Sequence, residues 1–267
     1  MRNKLMLFGI VVVGILTLMV LLAPVISPHD PVSINIEKAL MAPSRAHIFG
    51  TDYLGRDLFS RIIYGGRISL SIGFIAIAIA LIIGITIGSI AGYYGGIIDT
   101  ILMRFVDIML CFPSFFLILA VVAMLEPGIF NIMVIIGITG WMGVARLIRA
   151  EILSLKEREF ILASRALGAS DLRIIVRHLI PNAIAPVLVS AVLGVAGAVL
   201  LESSLSFLGL GVQPPTPSWG NILMEGKASL GVCWWPMLFP GIFILITVLG
   251  YNLLGEGLRE YFEPKKR

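Results

Sequence analysis

The sequence predicts an all-α integral membrane protein with six transmembrane helices. Six uncharged runs of 18 to 25 residues punctuate the chain, each long enough to cross about 30 Å of hydrocarbon. Only 13% of the 267 residues are charged and 58% are hydrophobic, with a mean hydropathy of +1.00. An average soluble domain carries about 25% charged residues, so this chain cannot cover its surface in water. Lys and Arg, finally, are distributed unequally between the segments that join the runs.

Residues 5–26 form the first run of 22. It exceeds the apolar length of a signal peptide, and Pro24 interrupts any cleavage-like end, so the expectation is a retained span. Residues 27–67 are polar, with Pro28, Pro31 and Pro43 early. The later part, GTDYLGRDLFSRIIYGGR, reads as a short amphipathic helix along the membrane interface. Leu54, Leu58, Phe59 and Ile62 make its apolar side, and the pairs Asp52/Arg56 and Asp57/Arg61 stand four residues apart.

The second span is residues 68–92. Gly84, Gly88 and Gly92 repeat at intervals of four, the small-residue pattern that lets membrane helices approach closely. Residues 108–125 make the third span, extendable back toward Asp99, with Arg104 and Asp107 set up for a local ion pair. Glu126-Pro127-Gly128 is a tight turn before the fourth run, residues 127–145. Residues 182–201 are the fifth span and 236–255 the sixth, with Trp234 and Trp235 in position for an aromatic belt.

Six spans place both termini on one side. With the N-terminus inside, the inner segments hold 14 of the 20 Lys and Arg and the outer segments hold 6, as the positive-inside rule requires. The net charge of +4 is therefore ascribed to membrane orientation and not to nucleic-acid binding.

The one long charged passage, residues 151–186, then falls in the cytosol. Residues 157–167 read as a short helix with Phe160, Ala163, Ser164 and Leu167 on one face. Gly168 sits where a helix end requires positive φ. Ser170 follows as an N-cap with Asp171 against the positive end of the next helix dipole. Leu172, Ile175, Val176 and Leu179 form that helix's apolar stripe, and Pro181 is expected to end it near Ile180.

This passage resembles the cytosolic signature of ABC-importer permeases, EAA, three residues, G, nine residues, I-x-L-P. Gly168 and Pro181 have the required offset and Ala163 matches the first alanine; Leu162, Ser164, His178 and Ile180 depart from the pattern. The string SRALGASDLRIIVRHLIPNAIAP resembles the dipeptide/oligopeptide/nickel branch. So do GTDYLGRDLFSRIIYGGRISL at 50–70, ESSLSFLGLGVQPPTPSWGNIL at 202–223 and YNLLGEGLRE at 251–260. The chain is similar to the second, C-type permease of such systems.

The resemblance implies a type I importer permease fold in which residues 157–180 dock on an ATP-binding subunit. Phe160, Ala163, Ser164, Arg165, Ala166, Leu167, Gly168, Ala169, Ser170 and Pro181 would form that coupling surface. Implied partners are a homologous permease, two ATP-binding subunits, an extracytoplasmic substrate-binding protein and the lipid bilayer. This chain holds no cofactor of its own; ATP and magnesium belong to the partner subunits, since no GxxxxGK[ST] phosphate loop occurs here. The expected organisation is residues 1–67 as first span and outer loop, 68–258 as permease core, and 259–267 as cytosolic tail.

The remaining candidates carry two readings each. Glu202, at the outer end of the fifth span, either reaches the outer water or contributes to a gate or substrate-ammonium contact. Trp219, in the proline-stiffened loop 211–220, is either an anchor for an external partner or part of the interface belt. His29, Asp30 and His47 fit no metal-ligand spacing, and Cys111 and Cys233 signal neither disulfide nor zinc site. No span contains a His, Asp or Glu pair, which leaves an intramembrane enzyme without catalytic residues; a scaffold without transport is the other rival class. The function expected is a permease subunit for peptides, with nickel-complex or oligosaccharide import as the alternative within the family.

Overall fold

A computed structural model describes residues 2–126 and 128–262. Among these residues there is no β-strand beyond one isolated bridge, Thr51 to Asp57. The helices are α1 (Arg2–Leu21), α2 (Ala23–Ile26), α3 (Leu58–Tyr94), α4 (Gly96–Leu110), α5 (Ser114–Met124), α6 (Ile129–Leu155), α7 (Glu159–Ala166), α8 (Asp171–Ile174), α9 (Ile180–Phe207), α10 (Trp219–Lys227) and α11 (Trp235–Phe262). Five helical stretches are long and apolar enough to cross a membrane, and α4 with α5 makes a sixth if that bent pair is one span. The expected turn at Pro127, and Lys265, Lys266 and Arg267 of the expected tail, lie outside the described residues.

Three expectations change. The amphipathic helix foreseen before the second span is not separate. Residues 50–57 are loop, and α3 begins at Leu58 and runs unbroken through Tyr94 for 37 residues. Asp57 caps it, its side chain accepting from Ser60 N–H. Leu58 and Ile62 face the protein core rather than the membrane interface. The boundary drawn at residue 67 therefore falls within a helix, and α11 likewise runs past residue 258.

The third span is not straight. α4 and α5 meet at an angle of 80° across Cys111, Phe112 and Pro113. Pro113 lacks a backbone donor and disfavours helix at Phe112, so the helix stops there.

Pro181, in contrast, ends nothing. Residues 171–207 form one helical path in which Ile175–Leu179 is a π-helical turn. Ile180 N–H donates to Ile175 O, an i→i−5 bond. This wider turn accommodates a proline ring that an ordinary α-turn would drive against the carbonyl four residues back.

The helices pack around four apolar clusters among the described residues, two of which mark the ends of the bundle. Near one end, Leu58, Ile62, Val199, Trp219, Ile222 and Ile244 join α3, α9, α10 and α11. Near the other, Ile148, Ile152, Ile161, Ile174, Leu179 and Ala183 join α6 to the α7–α9 segment. Between them α3 and α6 form the most extensive helix pair, while α1 packs along α11.

Gly84, Gly88 and Gly92 all lie on the α3 surface that meets α6. A Cβ at Gly84 would stand 2.6 Å from Val144 Cβ, one at Gly88 would stand 2.4 Å from Ala145 O, and one at Gly92 would stand 3.0 Å from Arg149 O. Gly88→Ala therefore forces the helices apart, and the expected cost of such overpacking is about 1–3 kcal/mol. Gly143→Ala, whose Cβ would meet nothing within 4 Å, serves as control. Thermal unfolding in detergent should show a lowered midpoint for the first and none for the second.

Candidate coupling surface and the opposite end of the bundle

The charged passage folds as helix, corner and helix. α7 ends in a pair of crossing bonds: Gly168 N–H donates to Arg165 O at 3.0 Å and Ala169 N–H to Ser164 O at 3.1 Å. This is the Schellman arrangement, which requires a left-handed residue at its centre. Gly168 supplies it with φ +78°. Ser170 stands at the N-cap position of α8 but makes no side-chain cap bond, contrary to expectation. Asp171 accepts instead from Tyr93 Oη at 2.6 Å, and Arg165 lies over the Tyr93 ring at 5.6 Å. The corner is thus tied to the end of α3.

The segment's two faces differ sharply. Ile161, Ile174, Ile175 and Leu179 are buried in the bundle. Phe160, Leu162, Leu167, Leu172 and Val176 are exposed, Leu167 at 88%. The sequence pattern puts Leu172 and Val176 on one stripe with Ile175 and Leu179; the π turn shifts the register, so the stripe splits. Of the proposed coupling residues, Phe160, Ala163, Arg165, Ala166, Gly168, Ser170 and Pro181 are exposed, while Ser164 and Ala169 are partly covered. Ser164 Oγ donates to Phe160 O at 2.8 Å, which satisfies the hydroxyl within α7.

α4 is fastened beside this region by ion pairs. Arg149 meets Asp99 through Nε at 2.5 Å and Nη2 at 2.6 Å. Asp107 pairs closely with Arg146 at 2.5 Å, whereas the expected local partner Arg104 is 4.0 Å away.

At the opposite end, charge is buried rather than displayed. Arg56 and Arg61, 4% and 1% exposed, lie between Asp52 and Glu225. Arg56 reaches Asp52 at 2.6 Å and Glu225 at 2.7 Å; Arg61 reaches Glu225 at 2.7 Å and also bonds Asp52. The expected Asp57/Arg61 pair does not form. The network joins the loop before α3 to α10, and Trp235 Nε1 donates to Thr51 O at 3.1 Å to add α11. Sequence inspection missed Glu225, which stands two residues from Lys227 and has no local spacing that relates it to Arg56 or Arg61.

Glu202 does not reach the outer water and Trp219 is not displayed on a surface, for each is fully buried. Glu202 accepts from Ser69 Oγ at 2.9 Å and Ser206 Oγ at 2.7 Å. These bonds satisfy a carboxyl group that would otherwise be costly to bury. Trp219 starts α10 behind a capping box formed by Ser218 and Asn221. Its Nε1 donates to Ile62 O at 2.9 Å. Neither residue lies on an outer surface.

His29 and His47 do come together, but with Asp57 rather than Asp30. Asp30 Oδ1 accepts from Val32 N–H in its own turn. Cys111 is exposed at the α4–α5 break and Cys233 is buried.

Residues 84–267 match the family described as binding-protein-dependent transport system inner membrane component, and residues 1–43 match the N-terminal transmembrane domain of oligopeptide transport permease C. Over 266 residues the chain is 43% identical to the dipeptide transport system permease protein DppC of Alkalihalophilus pseudofirmus, with 100% of this chain and 88% of that protein covered. It is 42% identical to the oligopeptide transport system permease protein OppC of Bacillus subtilis, covering 99% of this chain and 87% of that one. Among solved structures, the inward-facing MetNI methionine ABC transporter shares the fold, with a TM-score of 0.56 at 20% identity over 76% of this chain and 94% of that one.

Removing one member of the buried charge network leaves the others uncompensated. Arg61→Met and Glu225→Gln are each expected to destabilise the chain by about 3–5 kcal/mol. The double variant should cost less than the sum, because the strandings overlap. Thermal unfolding of the four proteins in detergent measures both statements.

Proposed function

The chain belongs to the family of binding-protein-dependent transport system inner membrane components, and on that premise we propose that it is one of two homologous permeases in an ATP-driven importer of di- and oligopeptides. Two ATP-binding subunits would carry ATP and magnesium, and an extracytoplasmic binding protein would deliver the peptide. The names of the relatives at about 40% identity support the substrate class.

One observation carries the mechanical part: an apolar surface left open on a segment that is otherwise firmly anchored. Phe160, Leu162, Leu167, Leu172 and Val176 face outward, while Ile161, Ile174 and Leu179 lock the same segment into the bundle. An exposed apolar patch of this kind suits a protein partner. The small residues Ala163, Ser164 and Ala166 permit close approach, and the Gly168 corner makes α7 and α8 move together. The π turn leads directly from α8 into α9, so a displacement at the docking surface passes along one continuous helical path to Glu202 and its serines. ATP-driven closure of the partner subunits would shift this segment, tilt the spans and open a shared cavity outward.

Membership of the membrane is plain from the apolar helices; the sidedness is part of the proposal. The excess of Lys and Arg on the side holding residues 151–180 supports placing that segment and both termini in the cytoplasm.

Two measurements bear on these statements. In the reconstituted complex, Gly168→Val forces a β-branched residue into positive φ. It should abolish the stimulation of ATP hydrolysis by peptide-loaded binding protein; full stimulation would show that the corner does not transmit motion. With Cys111 and Cys233 replaced, a single cysteine at position 167 should react with a membrane-impermeant maleimide only after the cells are opened. One at position 232 should react in intact spheroplasts, and the reverse pattern would invert the orientation.

A further inference from the structure

We propose that His29, His47 and Asp57 form a binding site for one divalent transition-metal ion of the zinc class, at the end of the bundle opposite the coupling surface. The three come from separate parts of the chain: the segment after α2, the loop before Gly50, and the cap of α3. Their candidate ligand atoms lie within 4.8 Å of one another. His47 Nδ1 is 2.9 Å from Asp57 Oδ1, and His29 Nδ1 is 3.6 Å from the same oxygen. A tetrahedral zinc ion bonded at about 2.0–2.2 Å to nitrogen and oxygen ligands holds its donor atoms roughly 3.3 Å apart. The two separations to Asp57 bracket that value, and the two histidine nitrogens, within 4.8 Å of each other, close on the ion as it binds.

Two further features favour an ion over a chance meeting of side chains. Asp57 is 1% exposed, and among the described residues neither Lys nor Arg pairs with it, since Arg61 turns to Asp52 and Glu225. Its charge is met by the start of α3, the Ser60 hydroxyl and two imidazoles, none of them a fixed cation, and a cation between the three would neutralise it. The carboxylate is also pre-oriented. Ser60 N–H and Ser60 Oγ hold Oδ2 at 2.8 and 2.7 Å, leaving Oδ1 directed at the histidines. Such outer bonds fix a ligand for its metal. The imidazoles stack with centroids 4.7 Å apart and planes at 28°, and since a ring nitrogen binds a metal in its own plane, His29, the exposed partner, turns out of the stack to share the ion. Without metal, His47 Nδ1–H donates to Asp57 Oδ1; the ion replaces that proton.

Imidazole nitrogen with carboxylate oxygen is a donor set suited to zinc and its neighbours in the first transition row. His29 is 40% exposed, so the ion enters from solvent and the fourth position holds water. Bound there, it would clamp the chain that follows α2, and the loop carrying His47, to the first turn of α3.

The test uses the full chain, purified in detergent with an affinity tag free of histidine and stripped with chelator. Zn2+ is titrated calorimetrically, and Co2+ serves as an optical probe of tetrahedral ligation. One ion per chain and a higher thermal midpoint with Zn2+ are expected. Binding should be lost in the His29→Ala/His47→Ala double variant and weakened about 10–100-fold in Ser60→Ala. Asp57→Asn, which keeps a helix-capping side chain, should weaken binding without unfolding the chain. His178→Ala, remote from the site, should bind as the parent does. No binding by the folded parent chain, or unchanged affinity in the double histidine variant, overturns the proposal.

Discussion

The close contact of α3 with α6 sets the frame on which both ends of the molecule are built. In hydrocarbon, helices gain little from burying apolar surface against each other, so association rests on van der Waals contact at short range. Gly84, Gly88 and Gly92 allow α3 to touch the backbone of α6 at Ala145 and Arg149. That contact places Tyr93, at the foot of α3, where it can bond Asp171, and it sets α6 to deliver α7 beneath the bundle. It also aligns Arg146 and Arg149 with the acids of α4. A wider spacing would uncouple these attachments together.

The two ends then solve opposite problems. At one, Asp52, Arg56, Arg61 and Glu225 are withdrawn from water into a mutual network, and Trp219 and Glu202 are sealed below it. Apolar contact and paired charge make this end a rigid closure. At the other, leucines and a phenylalanine are left in the open on α7 and α8, where solvation is unfavourable until something covers them. An end that hides its charges is built to hold its shape, whereas the end that shows its apolar residues is the one that, on the proposed function, receives a partner. α9 connects them without a break, despite two prolines, because one π turn absorbs the first of these.

Some of this was legible in the residues. Uncharged length named the spans, since hydrocarbon admits no charge cheaply and a helix must rise about 30 Å to cross it. The glycine spacing named the tight face of α3. Gly168 named the corner, since few residues tolerate its φ. Other features escaped because they depend on atoms far apart in sequence. Asp52 and Glu225 are separated by most of the chain, so the four-residue spacing of Asp57 and Arg61 pointed to the wrong partner. Trp219 read as a partner anchor or a belt residue because aromatic character alone cannot distinguish either from a core. His29 and His47 fit no spacing rule, since their third companion, Asp57, serves at the same time as a helix cap.

By itself, then, the sequence determined that the chain is a bundle of membrane helices with a glycine-centred corner, because length, charge and φ preference are local properties. Only the tertiary structure decided which charges are buried together, which face of the corner is open and where the third span bends. Those outcomes depend on how helices distant in sequence compete for the same neighbours, and no local pattern records that competition.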